Sequence, residues 1–196
     1  ERLARVEAVP GVRWASLGRE TPVGGSSLGF AVMQPEGGQP VRVSSTVVYP
    51  HFLETIGIPL VKGRDFNEPD LGAGAPRAVI VNDAFVRRIL RGREPLGTGH
   101  GLTIPVIRRT QQGPGPAMPG EPLNIVGVVN DSRFPGLRDE APPMVYQTFL
   151  QANTGFGQMV LHVRAADEAA AIVRPVMDLG RAIERNVPLV RVQTLA

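Results

Sequence analysis

Two short apolar runs constrain this chain most: Ala78-Val79-Ile80-Val81 and Ile125-Val126-Gly127-Val128-Val129. A membrane-spanning helix needs about 20 apolar residues, so neither run crosses a bilayer. Both have the length and β-branched content of buried strands. They place strands at 77–81 and at Leu123–Val129, the second of them central. Glycine (23) and proline (19) together make up about a fifth of the 196 residues. That predicts many turns and several short elements, yet stays short of the disordered regime.

The remaining elements follow from periodicity and punctuation. Leu3 and Val6 mark the end of a helix over 2–8, stopped by Pro10-Gly11, and a strand follows over 12–17. Residues 21–38, with Gly24-Gly25 and Gly37-Gly38, predict a turn or hairpin. Val41, Val43, Ser45 and Val47 alternate with polar residues as a half-buried strand. Pro50 opens a short helix bearing Phe52 and Ile56, where its missing N–H costs nothing, and Gly57 ends it. A strand over 58–61 and an acidic helical turn over 67–70 come next. Asn82 is placed to cap a helix whose apolar stripe is Phe85, Val86, Ile89 and Leu90. Its Arg87, Arg88 and Arg91 face solvent, and Gly92 closes it. The Pro/Gly-rich tract 105–122 predicts a loop or a long hairpin tip and the most mobile segment. Strands over 142–149 and 159–163 precede the longest helix, which starts at Asp167, is kinked or broken near Pro175 and ends at Asn186. A last strand covers 189–194. Strand–helix–strand units at both ends argue for α/β or α+β.

Charge and composition exclude several functions. The net charge is +3 from 21 basic and 18 acidic residues, and Lys62 is the one lysine. The arginines are interleaved with acids and apolar residues, and aromatics are 5%. No basic face with spaced aromatics emerges, which argues against nucleic-acid binding. With no cysteine, a disulfide framework and thiolate metal sites are excluded. No signal peptide is visible and the chain begins at Glu1 without methionine, as expected of a segment whose targeting sequences have been trimmed away.

No residue pattern demands an enzyme. A phosphate-binding loop is absent. Gly97-Thr98-Gly99-His100-Gly101 lacks the dinucleotide spacing and reads as a flexible turn. His51, His100 and His162 fall in no H-x-x-x-H or H-E-x-x-H pattern, and His162, on the strand face opposite Leu161 and Val163, reads as a solvent-facing or partly buried structural histidine. Asp65, Glu68 and Asp70 lack calcium-loop spacing and read as acids complementing a helix start. Neither Ser26-Ser27 nor Ser44-Ser45 lies in a nucleophile elbow. Asp131, after Val128-Val129-Asn130, sits where α/β enzymes often place acids, but a turn role beside Asn130 fits better.

One stretch carries a more specific resemblance. Tyr49-Pro50-His51-Phe52-Leu53-Glu54-Thr55-Ile56-Gly57-Ile58-Pro59-Leu60, followed by Gly63-Arg64-Asp65-Phe66, resembles the Tyr-Phe, Gly-Ile-Pro-Leu, Gly-Arg-Asp-Phe signature of MacB-like permease domains. Pro50-His51 splits its Tyr-Phe pair here. Ala78 to Phe85, Glu94-Pro95-Leu96-Gly97, Ile125 to Asp131, Gly136-Leu137-Arg138 and Pro143-Met144-Val145-Tyr146 resemble further family motifs in order. Val9-Pro10-Gly11-Val12 and the segment from Leu189 to Leu195 resemble the stretches beside the family's first two membrane helices. The likeness covers nearly the whole chain and points to the acidobacterial-type, MacB/FtsX-related permeases, some of which are duplicated and lack an ATPase domain of their own.

The resemblance implies an α+β fold of two subdomains: a porter-like βαβ part from 1–50 and 143–196, and a smaller inserted part from 51–142 that carries the flexible tract 105–122. It implies an extracytoplasmic, periplasmic domain of an ABC-type permease, anchored to the inner membrane by flanking helices. Its role would be to couple helix motion to export or to envelope or lipoprotein handling. The implied partners are its own transmembrane helices, a second permease copy or subunit, a periplasmic adaptor or lipoprotein, and a separate cytoplasmic ATPase subunit, with no nucleic acid. No catalytic, cofactor-binding or metal-binding residue and no cofactor is expected. Two rival readings are a ligand-sensing domain of a membrane receptor, favoured by an apolar pocket with convergent polar groups, and a small α/β hydrolase-like enzyme, favoured by convergence of a histidine with Ser or Asp.

Overall fold

In the computed structural model, strand β5 (Arg77–Asn82) has apolar side chains buried on both faces: Ala78, Val79, Ile80 and Val81 are at most 1% exposed. The structure describes residues 2–19, 28–32, 41–72, 74–98, 100–104, 106–110, 113–118, 120–132, 140–149, 151, 159–183 and 193–194; for 28–32, 106–110 and 113–118 it describes the backbone alone. Strand side chains alternate between faces, so β5 feeds two cores. Val79 and Val81 pack with Phe85, Ile89, Leu90, Leu102 and Ile104 on one face. Ala78 and Ile80 pack with Phe52, Leu53, Phe66, Met144 and Tyr146 on the other. Helix α3 (Asp83–Arg88) and the chain after it cover the first face. Helix α2 (Phe52–Ile56) covers the second.

Among the described residues the sheet has eight strands. With β1 (Val12–Gly18), β2 (Leu28–Val32), β3 (Val41–Val48), β4 (Leu60–Gly63), β8 (Leu123–Val129), β9 (Met144–Thr148) and β10 (Val160–Ala165), the order is β10-β1-β3-β9-β5-β8-β4, and β2 pairs with β3. The β3/β9 and β5/β8 pairs are parallel and the others antiparallel. Among the described residues the first and last strands meet at one edge; Val12 lies opposite Ala165, and after an irregularity the ladder runs from Trp14 opposite Arg164 to Gly18 opposite Val160. Helix α1 (Arg2–Glu7) packs on β1 and touches α4 (Ala169–Ile183), which packs on β10. The middle of the chain adds β4, β5 and β8 to the same sheet, joined through the β5/β9 ladder.

Several elements differ from the sequence reading for identifiable reasons. The C-terminal half of β3 is buried on both faces, because β1 and β9 flank it inside a sheet covered on both sides. Strand β4 starts two residues later than expected, because the Ile58 N–H still bonds the Leu53 carbonyl (2.9 Å) in closing α2. Pro175 does not interrupt α4; it and Ala171, the carbonyl four residues back, are exposed, so water can replace the lost bond. Within 105–122, β6 (Val106–Thr110) and β7 (Gly113–Met118) pair as a separate two-stranded sheet, which is the hairpin alternative. Among the described residues β7 has a neighbour on one side only, a setting that tolerates Pro114 and Pro116. The glycine pairs of 21–38, Ser26-Ser27, Gly136-Leu137-Arg138, Asn186 and most of the last strand expected over 189–194 lie outside the described residues.

One buried side chain joins three elements. The Asn82 Oδ1 accepts the Phe85 N–H (3.0 Å), capping α3, and the Met144 N–H (2.8 Å) of β9. Its Nδ2 donates to the Pro142 carbonyl (2.9 Å). Asn82→Ala would strand two buried N–H groups and a carbonyl, each costing about 1–3 kcal/mol. We expect a loss of roughly 3–5 kcal/mol, read as a lower urea midpoint with an unchanged slope.

Candidate functional site

The stretch from Tyr49 to Asp70 crosses α2, β4 and a 3-10 turn at Glu68–Leu71. The Ser16 hydroxyl of β1 points at the Pro50 (2.9 Å) and Tyr49 (3.2 Å) carbonyls and fixes the entry. His51 then adopts a left-handed backbone (φ 66°), unusual for a residue with a Cβ. Its N–H donates to Asp65 Oδ2 (3.0 Å), and its carbonyl accepts the Thr55 hydroxyl (2.7 Å). The His51 ring stacks on Trp14 of β1, with centroids 5.6 Å apart and planes 12° from parallel. Its Nδ1 lies 2.9 Å from Glu54 Oε2.

Two glycines of the signature are sterically required. Gly57 (φ 81°) ends α2, and a Cβ there would strike the Arg164 guanidinium. Arg164, from β10, donates to the Thr55 carbonyl (2.9 Å) and so ties α2 to the C-terminal strand. Gly63 (φ 76°) abuts the Val126 carbonyl, again leaving no room for a Cβ.

The acidic cluster divides in two. Asp70 takes a two-pronged bond from Arg64 (2.6 and 3.0 Å) and accepts the Asn67 N–H (2.9 Å), while Asn67 Oδ1 accepts the Asp70 N–H (3.4 Å). This is a capping box. Burial alone would raise the Asp70 carboxyl, but Arg64 and the Asn67 N–H outweigh it and hold it below the usual carboxylate range. Glu68 is exposed. Asp65 turns the other way, with Oδ1 on the Phe66 N–H (2.7 Å) and Oδ2 on the His51 N–H. Burial pushes its carboxyl above the usual range; the two N–H groups oppose this, and the Glu54 charge adds to it. The candidate ligand atoms of His51, Glu54 and Asp65 all lie within 4.8 Å of one another.

The other candidates are structural. Asp131 accepts the Ala84 N–H (2.7 Å) and pairs with Arg87 (2.7 Å), holding the start of α3 instead of facing a cleft. His100 is buried with Nε2 at 3.0 Å from the Pro95 carbonyl. His162 is buried edge-on against Phe52 (5.1 Å). Neither joins a group of three metal-ligating side chains among the described residues. Ser45 accepts the Gln147 side-chain amide (2.7 Å) inside the sheet. Gly97, read as part of a flexible turn, exchanges backbone bonds with Ile125 of β8 (2.9 and 3.1 Å). The sequence reading weighed His51 and Asp65 separately and gave Glu54 no role. The His51/Glu54 spacing at a helix start was an available signal; the arrival of Asp65 depends on β4.

Among the described residues this architecture is a mixed α/β domain whose first and last strands pair at one edge of a sheet covered on both faces. It is the fold of MacB-type extracytoplasmic domains. The periplasmic region of MacB from Actinobacillus actinomycetemcomitans superposes with a TM-score of 0.58 at 12% identity, over 93% of this chain and 72% of that one. The extracellular domain of the noncanonic ABC-type transporter YknZ from Gram-positive bacteria superposes with a TM-score of 0.56 at 16% identity, over 94% and 81%. No family model and no curated protein matches the sequence. Among the described residues no helix is long and apolar enough to cross a membrane.

The Arg64–Asp70 pair yields a pH test. A depressed carboxyl contributes stability above its unfolded pKa, near 3.9, and loses it as pH falls through the lower folded value. Arg64→Met should cost about 1 kcal/mol at pH 7, a modest figure because solvent screens the half-exposed Arg64. The difference from the parent should shrink below about pH 4, read by denaturant titration at several pH values.

Proposed function

We propose that this chain is the extracytoplasmic domain of an ABC-type permease and relays motion between membrane helices and an external partner. The observation that carries the reading is the meeting of the first and last described elements: β1 pairs with β10 while α1 touches α4. Membrane helices attached at either end would then pull on one edge of one sheet. The shared fold with MacB and YknZ domains supports the same reading.

The porter-like part would be 1–50 with 143–196, and 51–142 would present the β6–β7 hairpin to a partner. A second permease copy or subunit and a periplasmic adaptor or lipoprotein are the partners this arrangement suits. ATP hydrolysis would belong to a cytoplasmic subunit, and this domain would perform no catalysis. An open cleft of about 240 Å³ beside β4, lined by Val61, Lys62, Val86 and Val128, is smaller than the roughly 300–1,000 Å³ of ligand pockets.

The absence of cysteine provides the test. Glu121 and Glu168 are exposed. Glu121→Cys and Glu168→Cys, placed singly in the parent protein stripped of other cysteines, should react with a membrane-impermeant maleimide on spheroplasts before lysis. Labelling only after lysis would contradict an extracytoplasmic location.

A further inference from the structure

We propose that His51, Glu54 and Asp65 form a binding site for a divalent first-row transition cation of the zinc type. The site goes beyond the permease reading and stands independently of it. One imidazole and two carboxylates are hard-to-borderline donors, and imidazole favours Zn, Ni or Cu over Mg or Ca. The donor atoms already cluster: His51 Nδ1 and Glu54 Oε2 are 2.9 Å apart, and Asp65 completes a group within 4.8 Å. Ligands about 2.0–2.2 Å from one ion lie roughly 3–3.5 Å from each other in a tetrahedral site.

The surroundings hold the donors in place. Trp14 fixes the His51 ring plane by stacking. The Phe66 and His51 N–H groups orient the Asp65 carboxylate and take one acceptor position on each oxygen, leaving a second lone pair on each. Such outer partners commonly position metal ligands. The guanidinium of Arg64 is directed at Asp70 and at the Asp65 backbone carbonyl. The side chains of His51 and Glu54 are 54% and 50% exposed, so the remaining coordination positions open to water or to a ligand from outside. A bound ion would link the start of α2 to the chain leaving β4, beside β1.

The test is calorimetric titration of the 196-residue chain with Zn²⁺ alone, compared with Glu54→Gln and His51→Asn. Asparagine tolerates the left-handed backbone, so the second variant keeps the turn, and far-ultraviolet circular dichroism confirms folding of both. The parent should bind one Zn²⁺ per chain and gain thermal stability on binding. Each variant should bind at least about tenfold more weakly and lose that gain. No binding by the parent, or equal binding by both folded variants, would overturn the site; equal binding would place the ion elsewhere.

Discussion

The buried amide of Asn82 is the contact on which the rest of the structure depends. It ends β5, caps α3 and fixes the start of β9, all through hydrogen bonds of 2.8–3.0 Å inside the core. A polar group so deeply placed is tolerable because both ends of its amide are satisfied. It sits where the strands from the middle of the chain meet those from its ends. The β5/β9 ladder that crosses this boundary pairs Val79 with Gln147, Ile80 with Tyr146 and Val81 with Val145. That register determines which side chains enter each of the two cores.

The signature Gly-Ile-Pro-Leu, Gly-Arg-Asp-Phe is accounted for by structure. Gly57 makes room for Arg164, Gly63 for the Val126 carbonyl. Arg64 pairs with Asp70, Asp65 holds the His51 turn, and Phe66 enters the core. The stretch thus acts as a clasp joining α2 to β8 on one side and to β10 on the other.

What could be read from the sequence follows from the range of each interaction. The runs of β5 and β8 were legible because burial on both faces leaves only apolar residues. The capping role of Asn82 was legible because Phe85 is three residues away. Its bond to Met144 was not, because that partner is 62 residues distant. The same limit hid the cluster at His51: Glu54 is one helical turn away, but Asp65 arrives only after β4. Gly97 looked like a free turn because its partner Ile125 is remote in sequence. Pro175 was expected to kink or break α4, and the helix runs through it unbroken; a local rule cannot see that the seventh helical position faces water.

If the domain relays motion, it must move as one body between the β10 edge and β8, because a sheet that yielded at the β5/β9 ladder would absorb the displacement. The measurement that tests this most directly is electron–electron double resonance on the full transporter, with spin labels at Glu121 and Glu168. Their distance within one domain should stay constant between nucleotide-free and nucleotide-trapped states, while the distance from Glu168 to the same position in a second copy shifts. A nucleotide-dependent change within the domain as large as the change between copies would contradict the account.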